Sequence, residues 1–576
     1  MKKIISALLL AAVGLASFPS CTENDFNEKY ADPSKTTTVG VPQVFTAVLF
    51  KARSYMDPCY YRYYTQSTTS GIFSGVIATD NGKGRWMGAG EGYYNTRWMS
   101  FYDVLTQHRL LENTYNDLPE SQKSANKIFV LLSRTIVQHQ LHEMMSCFGD
   151  VPYNGACQMY KVGYDKAKEA AVYDDDEALY RTILSDLKET AQYLQSEDIP
   201  QVATGSLSRQ DYTMAAGSVN MWARFTNSLR LRIALHLASQ GSLAAEAQAV
   251  IKEIVEYQYA LIEDNSQNMG VENSAANDDV NFAKGLSQAL FTSSGSYAQV
   301  SQTFLDAMNL GENGVRTADS DPRLQAMLDP NPYGQYLSYD VKKSSDEITQ
   351  EASKKSQELV EAGFKTSNYY VRIDSVAIAG MQTYEGNTNL KSQWINAAEV
   401  SLSLAEAYYM GYGVAKDEAK AKEYFVKGVE QSCEYYWNIK VTSSYFKAGS
   451  DSYKCQRDLE LPRDGDFTKY ANALWENSDN LHKTIATQLW LNFSFMNELE
   501  AWNVVRRTGY PVFDAAKDNI SAQYANPPYR LPYPSSEIDN NTDNCNAAKA
   551  KNYGSDQTGY YTNLFWAKDN YWHAIN

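Results

Sequence analysis

Apolar residues recur at helical spacing through much of this chain. Within 121–148, Phe129, Leu132, Ile136 and His139 fall at i, i+3, i+7 and i+10, one face of a helix. Pro119 ahead of the stripe and Gly149 beyond it supply start and stop signals. A second stripe, Trp222, Phe225, Leu229 and Ile233, lies within 213–239 and closes at Gly241. A third, Ala398, Leu402, Ala405 and Tyr409, lies within 392–410 and ends at Gly411 and Gly413. Residues 417–436 form its partner, with Asp417 placed to cap the start. "LAEAY" (404–408) and "AKEYFVKG" (421–428) echo the tetratricopeptide pattern, in which small residues let two helices approach and large ones fill the gaps. The turn between them is longer than that repeat's. Polar, irregular stretches separate the helical blocks, at roughly 57–95, 264–340, 437–480 and 514–576. Loops this long are usually functional or elaborately folded. "NYYVRIDSVAIAG" (368–380) carries a strand signal, but strand content is minor. The pattern predicts a mostly α fold.

The N-terminus departs from this pattern. Lys2 and Lys3 precede the apolar run "IISALLLAAVGLA" (4–16), too short to span a bilayer and of the form of a secretory signal. "SFPSC" then ends at Cys21, with small residues ahead of a single cysteine as in a lipobox. The division expected is a signal peptide at 1–20, a lipidated N-terminus and polar tether at 21–42, and one domain over 43–576. Ordinary cleavage near Ser20, leaving Cys21 as a free thiol, is the alternative. Six further cysteines include no C-x-x-C pair, so a thiolate zinc site is not expected, and spacing leaves disulfide pairing open.

Composition narrows the function. A formal net charge of −16 without a long basic block argues against nucleic acid and against unaided adsorption to an acidic membrane. The 43 tyrosines, 10 tryptophans and 20 phenylalanines are too many to lie wholly in a core, because each buried tyrosine hydroxyl needs a partner. No dinucleotide loop is formed by "GKGRWMGAGEG" (82–92), which follows no buried strand, and no G-x-S-x-G elbow occurs. His139, His142 and Glu143 in "HQLHE" lack the zincin order, and a buried, hydrogen-bonded His139 is the expected outcome. The acidic loops "NDDVN" (277–281) and "DSDPRL" (319–324) offer oxygen ligands to a hard cation such as Ca²⁺, but read more simply as solvated turns, so no cofactor is expected. The aromatic loop 79–98 is more informative. Trp98 shares a helical stripe with Phe101, Tyr102 and Leu105, whereas Trp86, Tyr93 and Tyr94 lie among glycines. With Asn81 and Arg85 beside them, these three form the candidate ligand contacts: rings for sugar C–H faces and polar groups for hydroxyls.

Six segments, in order, resemble the SusD/RagB-like outer-membrane lipoproteins of Bacteroidota, in their SusD-like nutrient-binding branch. "CFGDVPYNGA" (147–156) resembles the W/F-G-D-V-P-Y-S-E-A turn, and "WARFTNSLRLRIALHLA" (222–238) the K-W-x-K-F-A-N-S-L-R-L-R-L-A helix. "DPRL" (321–324), "AAEVSLSLAEAYYMG" (397–411), "EAWNVVRRTGYP" (500–511) and "PPYRLPYPSSEIDNN" (527–541) follow. The resemblance implies a SusD-like fold of about four tetratricopeptide-like helix pairs against an irregular portion. It further implies a lipid-anchored, non-enzymatic lid on a TonB-dependent, SusC-like β-barrel, which captures an oligosaccharide, or in some members a peptide, and delivers it. Glu23 and Asp25 resemble the surface-export signal of such lipoproteins. A surface glycoside hydrolase, with facing carboxylates ~5–9.5 Å apart, and a protein-binding scaffold remain the alternatives.

The paired arginines in "ELEAWNVVRRTGYP" (498–511) need no anionic substrate. Glu498, Trp502 and Arg506 share a helix face, so Trp502 and Arg506 are placed to stack. Arg507 points elsewhere, near a helix end. The segment reads as a structural joint.

Overall fold

The helical stripes become helices whose ends carry the caps written into the sequence. The computed structural model describes residues 39–58, 62, 69–78, 91–196, 198–273, 281–290, 299–340, 343–364, 369–379, 386–443, 445–446, 459–512, 527–556 and 558–571. The expected signal peptide, Cys21 and most of the tether lie outside these residues. The principal helices are α1 (Val41–Met56), α2 (Glu91–Asn116), α3 (Glu120–Phe148), α4 (Asp176–Leu194), α5 (Val219–Ala238), α6 (Ala244–Glu256), α7 (Ser345–Glu361), α8 (Ala397–Met410), α9 (Glu418–Val441), α10 (Asp466–Glu476), α11 (Leu481–Phe493), α12 (Glu498–Thr508) and α13 (Thr542–Asn552). Two small antiparallel sheets join them: β1 (Val151–Pro152) with β2 (Tyr173–Asp174), and β3 (Leu328–Asp329) with β4 (Arg372–Ile373). No described helix is long and apolar enough to cross a membrane.

Pro119 precedes α3 and Gly149 ends it at φ +71°. The Asp417 carboxylate accepts the Lys420 N–H at 3.0 Å, the predicted cap of α9. Among the described residues, helices consecutive in the chain pack against one another, α1–α2, α2–α3, α5–α6, α8–α9, α9–α10 and α11–α12 among them. The α8–α9 crossing shows why a small residue is needed. A Cβ on Gly428 would lie 2.7 Å from Leu402 Cγ. Gly428→Val is therefore expected to cost about 1–3 kcal/mol through overpacking, read as a fall in the urea midpoint. An unchanged midpoint would mean that the crossing has slack.

Several expectations require correction. The stretches read as irregular contain helices, α10 and α13 among them, because short amphipathic turns between polar residues give a weak periodic signal. The strand predicted over 368–380 shortens to Arg372–Ile373 and is followed by a π-helical turn at Ser375–Ala379. The turn is held by the Asp374 carboxylate, which accepts the Val376 and Ala377 N–H groups at 3.0 and 2.6 Å. Asp321 does not sit in a solvated turn. It is buried and accepts from Arg323 Nε at 2.9 Å, Arg323 Nη2 at 2.6 Å and the Tyr470 hydroxyl at 2.9 Å. The local Asp-Pro-Arg turn folds its own counter-charge over the carboxylate, so the chain buries both.

The helices are joined by buried, paired charges. Arg232 of α5 binds Glu399 of α8 through both guanidinium branches, Nη2 at 2.7 Å, and donates to His139 Nε2 of α3 at 2.8 Å. Arg507 of α12 grips Glu406 of α8 in the same two-pronged way, Nη2 at 2.6 Å. Arg506 has no such carboxylate. It is fully buried, with its guanidinium carbon 3.6 Å from the Trp502 ring centre and 4.7 Å from that of Trp566. It donates to Ser146 O at 2.7 Å, Tyr529 O at 2.6 Å and Asn503 Oδ1 at 2.5 Å. Burial without a counter-ion pushes its pKa down to about 10. Trp502, Arg506 and Arg507 thus lock α12 to α3, α8 and the C-terminal segment, the joint expected of them.

Candidate functional site

Described strands and turns meet in a hydrogen-bonded seam beside the helices. Ile77 pairs antiparallel with Val300, with Ala78 N–H to Gln299 O at 2.8 Å and Ser301 N–H to Val76 O at 2.9 Å. The Ser338 hydroxyl donates to Val300 O at 2.9 Å, and Val371 N–H to Leu337 O at 2.8 Å. β3 and β4 extend the seam, and Asp374 N–H donates to Met327 O at 2.7 Å. Ser443 Oγ and Asn387 Nδ2 tie their own segments to Val376 O and Ala377 O, both at 2.7 Å. The described ends bordering 79–90, 291–298 and 380–385 are therefore joined through one seam.

An aromatic cluster stands on it. Asn331 is fully buried, and its side-chain oxygen accepts the N–H groups of Tyr333 and Gln335, each at 3.0 Å. Asn331 N–H donates to Gln335 O and Gly334 N–H to Asn331 O, both at 2.8 Å. Gly334 takes φ +78°, which a side chain would resist. This closed turn holds Tyr333 51% exposed, edge-to-face with Phe364 at 5.0 Å. Tyr339 meets Tyr370 at 5.6 Å and 87°, Tyr369 meets Tyr370 at 5.3 Å, and Lys355 Nζ lies 5.5 Å from the Tyr369 ring centre. Sequence reasoning missed these residues. The signal was there in "NPYGQ" (331–335), an aromatic between Asn-Pro and Gly, the residues of a tight turn.

Beneath the cluster lies an acidic pair with a buried cation. Lys440 Nζ donates to Asp374 Oδ2 at 2.6 Å, and Asp329 accepts the Ser375 N–H and hydroxyl at 3.0 and 2.7 Å. Burial, aided by the neighbouring Asp374 carboxylate, pushes Asp329 up to about 7. These contacts engage both carboxylates in holding the β3–β4 corner. The chemistry on offer here is stacking and hydrogen bonding to a polar ligand.

The sequence-predicted residues fare unevenly. Trp86, Asn81 and Arg85 lie outside the described residues, as do Asp278, Asp279 and the side chain of Tyr93. Tyr94 is 6% exposed and belongs to the core, which removes it from a solvent-facing set; its position on the inner face of α2 outweighs its glycine-rich neighbourhood in sequence. Trp98 is buried as expected, its indole N–H donating to Glu537 at 3.2 Å. His139 is buried and accepts from Arg232, while His142 bonds Tyr180 and Glu500, each at 3.2 Å. Among the described residues no group of three or more His, Cys, Asp or Glu is placed to hold a metal. Cys147, Cys157, Cys433 and Cys545 are free thiols.

The family model described as "Starch-binding associating with outer membrane", SusD-like, matches residues 53–534. The chain belongs to the SusD-like family. Solved structures share the SusD-like fold. A chitin-binding protein matches at 20% identity and TM-score 0.65, covering 91% of this chain and 100% of its own. A SusD-like protein from Bacteroides thetaiotaomicron matches at 18% identity and TM-score 0.63, covering 92% and 100%. A chitin-binding SusD homolog from Flavobacterium johnsoniae matches at 18% and 0.62, covering 91% and 98%. Comparison with curated proteins found no match. SusD-like membership makes this a member of an outer-membrane-associated, glycan-binding family.

Proposed function

We propose that the chain is a cell-surface glycan-capture lipoprotein, anchored through Cys21, that passes an oligosaccharide to a TonB-dependent, SusC-like barrel without breaking a bond in it. Family membership supports the outer-membrane setting, and the chitin-binding neighbours support a glycan ligand. The observation that carries the ligand class is Tyr333, an exposed ring on a turn closed by its own hydrogen bonds. A flat ring held in place loses little conformational freedom when a pyranose stacks on it. Trp86, Tyr93, Asn81 and Arg85 stay in the proposed contact set, and the described segment ending at Ala78 joins the seam through the Ile77–Val300 pairing.

Calorimetry with chito- and malto-oligosaccharides tests the reading. Tyr333→Ala is expected to weaken the bound glycan about tenfold, ~1.4 kcal/mol, with an unchanged urea midpoint. Trp86→Ala is expected to act alike. A glycan bound equally well by both variants would overturn the site, and shortened products after incubation would overturn the non-catalytic reading.

A further inference from the structure

Away from that seam, α6, the end of α8 and the start of α9 border an open groove of about 550 Å³. Small-ligand pockets run ~300–1,000 Å³. Its floor is the long turn between α8 and α9, and that turn is fixed. Gly413 (φ +71°) lies so close to α6 that a Cβ would sit 2.0 Å from Gln248 O. Gly411 N–H donates to Ala407 O at 2.9 Å, and Asp417 N–H to Tyr408 O at 3.1 Å. Gly411 also makes room for a lysine stem, since a Cβ there would lie 2.9 Å from Lys416 Cγ. Tyr408, stacked on Tyr424 at 5.7 Å and 7°, carries the Lys420 ammonium 5.1 Å from its ring centre.

The groove's charge runs against that of the chain. Lys252, Lys416 and Lys420 line it, with Glu256 and Asp417 as the acids. The Asp417 carboxylate is engaged in capping α9. Glu256 lies 3.6 Å from Lys252 on the same helix. Lys416 and Lys420 make no ion pair among the described residues. A protein of net charge −16 thus sets unpaired ammonium groups around a groove of ligand size.

We propose that this groove is a separate ligand site for an anionic sugar residue, whose carboxylate or sulfate is held by Lys252, Lys416 and Lys420. The proposal rests on the chain binding glycans, but not on the Tyr333 cluster. Long, mobile ammonium groups suit a diffuse anion and give modest, salt-sensitive affinity.

The full-length protein is titrated at low salt with trigalacturonate, a sulfated chondroitin disaccharide and neutral maltotriose. At least one acidic probe is expected to bind, and which one tells carboxylate from sulfate. Its affinity should fall about tenfold in the double variant Lys416→Gln, Lys420→Gln, and on raising salt from ~20 to ~200 mM. The unfolding midpoint should hold, as these are exposed side chains. Tyr333→Ala should leave acidic binding unchanged while weakening a neutral glycan, so the two sites fail independently. The proposal is overturned if neither acidic probe binds, if the double variant binds as the parent does, or if Tyr333→Ala removes acidic binding.

Discussion

Arg507→Ala is expected to lower the free energy of unfolding by about 3–5 kcal/mol, because it strands Glu406. Glu406 is fully buried, Arg507 is 4% exposed, and the pair is two-pronged. The other side chain on Glu406, His482 at 3.4 Å, makes a single long contact. Removing the guanidinium leaves a carboxylate without compensation in a medium that cannot solvate it. The cost lies in the stranded partner more than in the lost bond, so Arg507→Met with Glu406→Leu should recover most of the loss. Urea unfolding, with the slope checked for constancy, measures both variants. An Arg507→Ala midpoint equal to the parent's would refute the joint. So would lost glycan capture at unchanged stability, which would return the arginine to a ligand role.

The joint was legible from sequence because its logic is local. Spacing by four puts Trp502 and Arg506 on one face, and the ring and guanidinium stack at 3.6 Å. The partner of Arg507 was not legible. Glu406 sits within "LAEAY", where a helical glutamate reads as solvent-facing, and its burial depends on α12 crossing α8. The same holds for Glu399 and Arg232. One-dimensional periodicity marks which face is apolar; it cannot announce that a charge on that face meets its counter-charge from another helix. The candidate site was less legible for a related reason. Tyr94 and Tyr333 both lie in "aromatic beside glycine" contexts. Tyr94 turned out to be core because it belongs to α2, whereas Tyr333 is held outward by the Asn331 turn. Composition alone does not separate them; turn chemistry does.

As the pH falls below about 6.5, His139 and His236 are expected to withdraw stability, by up to about 1.4 kcal/mol per pH unit each, against the opposite contribution of Asp329, which takes up its proton in the fold near pH 7. His139 and His236 are buried, at 1% and 3% exposure. Burial, reinforced by Arg232 for His139 and by His142 for His236, holds both pKa values well below the usual imidazole range. Glu500 pulls the other way, but is outweighed. His236 packs against the His142 ring at 4.9 Å and the Trp566 ring at 3.8 Å, which leaves a new charge little solvation. The unfolded chain protonates these two histidines below about pH 6.5 while the folded chain does not, so their contribution is fully present above that value and falls as the pH drops. Below about 4.5 a second loss begins. Burial alone would raise Glu406, but the Arg507 guanidinium and the hydrogen bonds from Arg507 and His482 hold it at about 2. The unfolded chain again protonates first, and this carboxylate contributes about 3 kcal/mol that is lost between pH 4.5 and 2. Urea midpoints at pH 7, 6, 5, 4 and 3, compared between the parent and His236→Phe, separate the two phases. His236→Phe should flatten the upper one and leave the lower intact. Midpoints that change alike from pH 7 to 5 in the parent and in His236→Phe would mean that His236 gains its proton within the fold, and that this core is wetter than its geometry implies.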